Sequence, residues 1–121
     1  MPLLILTLLA TLSGALGVGL SALASHAYAG TSLSVAASML LIHAPALLAA
    51  AAGIKAGVLN RSVGLAGAYV LAAGLALFSG DLVVRTLYGV ALFPMAAPIG
   101  GMGLIGGWLV LGVAGLMAPR D

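Results

Sequence analysis

Cysteine is absent from this chain of 121 residues, so it can build neither a disulfide framework nor a thiolate metal site. Charge is nearly absent as well. Four basic and two acidic side chains, 5% of the residues, cannot coat a water-soluble domain of ordinary composition. Nor can they form the clustered basic footprint of a nucleic-acid binder, although the net charge is +2 and the isoelectric point lies near 9.5. The chain also lacks paired carboxylates, and no serine, histidine and carboxylate fall at a common depth. These absences predict a protein that is not an enzyme and carries no cofactor, no metal and no nucleic acid.

Hydrocarbon is what the sequence has in quantity. Apolar residues make up 64% and the mean hydropathy is +1.32, the composition of an integral membrane protein whose partners are membrane lipids. A spanning helix takes ~20 residues to cross a hydrocarbon core of ~30 Å, so the chain has room for about four. Continuous apolar runs, bounded by "SHAYAGTS", "KAGVLNRS" and "YGVALFPMAAP", predict helices at about 3–24, 33–53, 63–88 and 99–118, within one domain over residues 1–121. Such runs are too long and too uniform for the alternating strands of a membrane barrel. The fold class expected is all-α, an integral membrane four-helix bundle with up-and-down connections, because the loops are short. "PLLILTLLATL" with the Ala27-Tyr28-Ala29 pattern has the look of a leader, but no Lys or Arg precedes the run, and it is read as the first span.

Basic residues beside the spans set the orientation. With four spans, Lys55, Arg61 and Arg120 share one side and Arg85 stands alone on the other, which predicts cytoplasmic termini in a bacterial inner membrane. Tyr28 and Tyr88 then fall at the opposite interface, as belt residues. "NRS" at 60–62 has the glycosylation pattern but lies on the predicted inner side.

Asp81 and Arg85 raise the main question about function, because they sit four apart on one helix in a chain so short of charge. Counted from Val63 at ~1.5 Å per residue, they lie ~27 and ~33 Å along the third span, at its outer boundary. One reading is an interfacial pair, with the acid offsetting a snorkelling arginine. The other is a polar mouth that His26, at the outer end of the first helix, joins to make a proton-sensitive cluster. His43 is a second polar position, ten residues into the second helix and so ~15 Å deep, near the midplane. Pro45 removes the amide partner of the Leu41 carbonyl, which predicts a kink beside it. Trp108 lies at a matching depth in the fourth helix, so a His43–Trp108 contact is expected. His26 and His43 differ in depth by about half the core, which argues against bis-histidine haem ligation. Met39, one turn before His43, reads as packing rather than a soft-metal ligand.

Glycine is plentiful, 18 in all, and small residues at spacing four, Gly17 with Ser21 and Gly103 with Gly107 among them, predict close helix packing. Neither "GALGVG" nor "GGMGLIGG" reads as a nucleotide loop, since both lie inside spans.

"GALGVGLSALASHA", "IHAPALL", "LFSGDL" and "APIGGMGLIGGWLVL" resemble, in order, the successive motifs of the transmembrane protein 256 family, small four-helix proteins of unknown function found in bacteria and mitochondria. The likeness runs from residue 14 to about 116. It implies that His26, His43, Gly80, Pro98, Gly100, Gly101 and Trp108 occupy motif positions, and it implies no catalytic role. The chain departs from the pattern at three places: Asp81 stands where the family has serine, Arg85 where it has an aliphatic residue, and Pro45 where it has leucine. An acid and a base gained together on one face look like a compensated pair.

The function expected is that of a structural or accessory membrane component, forming a homo-oligomer or joining a larger membrane complex. Two alternatives stand beside it. One is a small transporter or proton-linked channel using His43 and the His26, Asp81, Arg85 group. The other is a lipid, quinone or hydrophobic-ligand binder whose pocket opens beside Pro45.

Overall fold

A computed structural model describes residues 1–120; Asp121 lies outside the described residues. Four helices follow in chain order: α1 Pro2–His26, α2 Leu33–Lys55, α3 Arg61–Tyr88 and α4 Ala96–Leu116. No strand occurs among the described residues, and all four helices are long and apolar enough to cross a membrane. Four boundaries differ from the sequence reading in physically instructive ways. Helix α1 begins at Pro2, where proline's missing amide hydrogen is harmless, and it runs on to include His26. Helix α3 starts at Arg61 because the Asn60 Oδ1 accepts the Val63 amide as an N-cap. Helix α4 starts three residues before Ile99, with Pro98 inside its first turn, where an amide would have no helical acceptor.

Short loops alternate the helix directions. Both termini and the α2–α3 loop therefore occupy one end, called here the terminal end, and the α1–α2 and α3–α4 loops occupy the other, the hairpin end. The helices do not form a closed square. Helices α3 and α4 pack most extensively, α1 and α2 nearly as much, and α2 packs on α3, whereas α1 meets α3 at few places. The cross-section is a rhombus with α2 and α3 on its short diagonal, which leaves a lateral groove on each weakly packed side.

Backbone sets the closest approach. A Cβ on Gly74 would lie 2.7 Å from the Leu104 nitrogen, one on Gly100 2.5 Å from the Phe78 nitrogen, and one on Gly107 2.8 Å from the Leu71 Cα. Gly67 faces the Leu111 nitrogen at 3.0 Å in the same way. Gly67 with Gly74, and Gly100 with Gly107, are two helical turns apart, so each pair shares a face. Among the packing residues read from sequence, Gly103 and Gly107 lie in this seam and Gly17 lies against Leu41 of α2. Ser21 lines a small cleft between α1 and α2 with Ser25, Ser34 and Ser38. The expected disturbance at Pro45 does not break α2, which remains helical from Leu33 to Lys55.

Candidate functional site

Two polar arrangements hold the functional candidates. The first is at the hairpin end of α3. Gly74, Phe78, Asp81 and Arg85 recur at helical spacing on the face turned toward α4. This stripe carries Asp81 into the interface, where the residue is fully buried, while the Arg85 side chain stays 47% exposed. Arg85 Nε donates to Asp81 Oδ2 at 2.6 Å, and the Leu92 amide donates to Asp81 Oδ1 at 2.8 Å. The Ala97 amide, in the first turn of α4, also bears on the carboxylate. Gly89 makes this return of the chain possible. It ends α3 in the left-handed conformation, φ +72°, with its amide on the Arg85 carbonyl, a geometry that penalises any residue with a Cβ. Met95 adopts the same region at φ +69° just before α4. Asp81 thus ties α3, the α3–α4 loop and the start of α4 together.

His26 does not join this group. It is exposed, in the last turn of α1, and among the described residues it makes no hydrogen bond or ion pair with Asp81 or Arg85. The reason is rotational: the acid faces α4, whereas α1 lies beside the opposite face of α3, the one carrying Ala72, Ala76 and Gly80.

The second arrangement lies about halfway along α2 and α4. Trp108 Nε1 lies 3.2 Å from His43 Nε2, with ring centroids 6.0 Å apart and planes inclined by 55°. Indole can only donate, so Nε2 accepts, and the imidazole proton sits on Nδ1, which donates to the Met39 carbonyl at 2.7 Å. A buried neutral histidine is thereby satisfied at both nitrogens. This bond is the main polar link between α2 and α4, whose backbones scarcely meet. Below it, Ala46, Ala49, Ala50, Leu59, Trp108 and Leu111 line a groove of about 360 Å³.

Two further polar links were not legible in the sequence. Ser79 Oγ, buried on α3, donates to the Ala36 carbonyl of α2 at 3.2 Å, and Tyr69 Oη donates to the Pro2 carbonyl of α1 at 2.9 Å. Nothing local distinguishes these hydroxyls from the serines and threonines that bond back to their own helices, such as Ser25 to Ser21. Every buried side-chain nitrogen or oxygen among the described residues has a partner, and no group of three metal-ligating side chains occurs among them.

Comparison with known proteins places the chain in a family. Residues 13–101, nearly three quarters of its length, match the family described as "Protein of unknown function (DUF423)", and the chain belongs to it. No curated protein and no solved structure matches.

Proposed function

We propose that this DUF423 protein is a non-catalytic, structural or accessory component of the membrane that works through its lipid-facing sides, as a homo-oligomer or as a subunit of a larger assembly. The observation that carries this reading is that every buried side-chain nitrogen and oxygen among the described residues is paired internally. His43 has no free lone pair, and Asp81 is engaged by Arg85 and Leu92. A proton-linked carrier needs an ionisable group that can exchange partners across the membrane interior.

For localisation we favour a bacterial inner membrane with both termini cytoplasmic, on the strength of Lys55, Arg61 and Arg120 at the terminal end against Arg85 at the other. The cysteine-free chain makes this testable. A single Ala56→Cys variant should react with membrane-impermeant maleimide only after lysis, and Ala29→Cys in intact spheroplasts; the reverse pattern overturns the orientation.

Native mass spectrometry after gentle extraction tests the main reading. A complex or oligomer is expected, and a strict monomer under every mild condition contradicts it. Proteoliposomes should show no flux driven by a pH gradient. Flux that His43→Ala abolishes would establish the carrier instead. A second reading, a hydrophobic-ligand binder, draws support from the groove beside Pro45 walled by Trp108. Ligand-dependent change in Trp108 fluorescence would favour it.

A further inference from the structure

We infer that the cleft between α1 and α3 is a site for one acyl chain of a membrane phospholipid, entered from the leaflet at the hairpin end. This goes beyond the proposed function and holds whether or not the protein is an accessory subunit. The cleft is the larger of the two lateral grooves, about 430 Å³, and runs from Leu9 to Leu20 on α1 and from Ala72 to Val84 on α3, with Leu40 of α2 at its floor.

Its shape is set by sequence. At the terminal end Tyr69 Oη of α3 holds the Pro2 carbonyl of α1, which ties the two helices together there. Toward the hairpin end the α3 face carries Ala72, Ala76 and Gly80 at spacing four, which withdraws the wall where leucines would have filled it. A Cβ on Gly80 would meet only Leu92, at 3.8 Å. The result is a trough with one blind end.

Three properties select the occupant. First, the trough offers no hydrogen-bond donor. Its two hydroxyls are committed, Ser13 to the Leu9 carbonyl and Ser79 to the Ala36 carbonyl, and no charged side chain lines it. A quinone or other carbonyl-bearing head would enter with unpaired acceptors, which is costly in hydrocarbon. Second, the trough is elongated. Its volume of about 430 Å³ is drawn out over the ~16.5 Å that the helix spans from Leu9 to Leu20, a form that suits a single extended chain. A spanning helix from a second copy would have to run past the end that Tyr69 and Pro2 tie shut. Third, the trough is continuous with the lipid-contacting surface of α1, where Leu12 is 55% and Leu16 49% exposed, so bilayer chains reach it without crossing a polar barrier.

The experiment uses the full-length protein in liposomes of phosphatidylethanolamine doped with two photoreactive versions of the same lipid. One carries a diazirine near the chain terminus and the other near the ester. The terminal label should cross-link around Leu9 and Ala72, the ester-side label around Leu20 and Val84. Ala76→Phe, which fills the trough from its face, should cut the terminal-label yield at those positions about tenfold, equivalent to ~1.4 kcal/mol, while Leu16→Ala should preserve or raise it. Unchanged helical content and thermal unfolding of both variants show that folding is not the cause. If Ala76→Phe fails to fold, Ala72→Val supplies a smaller filling and a smaller loss is expected. Labels spread evenly over all four helices, labelling unaffected by filling the trough, or a dimer mass that Ala76→Phe dissolves, each overturn the proposal.

Discussion

Replacing Gly100 by alanine tests whether bare backbone sets the α3–α4 seam. The added Cβ would lie 2.5 Å from the Phe78 nitrogen and 2.9 Å from both the Gly74 oxygen and the Phe78 Cα. Carbon contacts rest at ~3.5–4.0 Å, so the helices must part locally by about 1 Å. None of the three atoms belongs to a flexible side chain that could move aside. A gap of that size forfeits roughly a quarter to a half of each dispersion contact beside it, among them those that Gly74 makes with Gly103 and Leu104. The strain belongs in the upper part of the overpacking range, about 2–3 kcal/mol. Against this stands alanine's better helix propensity, up to ~1 kcal/mol. Gly106→Ala is the matched control, because nothing lies within 4 Å of its added Cβ and only the propensity gain of up to ~1 kcal/mol remains. Unfolding of both variants by sodium dodecyl sulfate in mixed micelles, followed by far-ultraviolet circular dichroism, should separate them by roughly 2–3 kcal/mol. Two variants within ~0.5 kcal/mol of each other would refute the seam argument.

Two other perturbations probe the polar links in the same assay. Arg85→Gln strands a buried carboxylate, whereas Asp81→Asn leaves a half-exposed guanidinium able to turn to the interface; the first should destabilise more, and adding Asp81→Asn to Arg85→Gln should restore part of the loss. A double variant worse than Arg85→Gln alone would contradict the pair. Trp108→Phe removes the donor facing His43 Nε2 and should cost ~1–3 kcal/mol, because it leaves a buried acceptor unmet. A double-mutant cycle with His43→Phe should return a coupling of about 1 kcal/mol, and a value near zero would show the contact to be incidental.

Which parts of this protein were legible in the residues follows from what each signal requires. Class, helix number and approximate spans needed only composition and run length, because in hydrocarbon each backbone amide must find its partner within its own segment. The depth of a polar residue was equally local: a constant rise per residue puts His43 and Trp108 level, and i to i+4 spacing puts Asp81 beside Arg85. Rotation about the helix axis was not local. Whether Asp81 turns toward α1 and His26 or toward α4 depends on which neighbour α3 packs against. That choice is made by glycines two turns apart, Gly67 with Gly74 and Gly100 with Gly107, whose missing side chains let two backbones touch. The sequence by itself therefore determined four apolar helices and the relative level of His43 with Trp108 and of Asp81 with Arg85 along them. Only the tertiary structure decided the rhombic arrangement, the closure of α1 on α3 by Tyr69, and the trough that opens beyond it. Helix-to-helix fit is a property of two surfaces at once, and one chain read in order shows each surface without its mate.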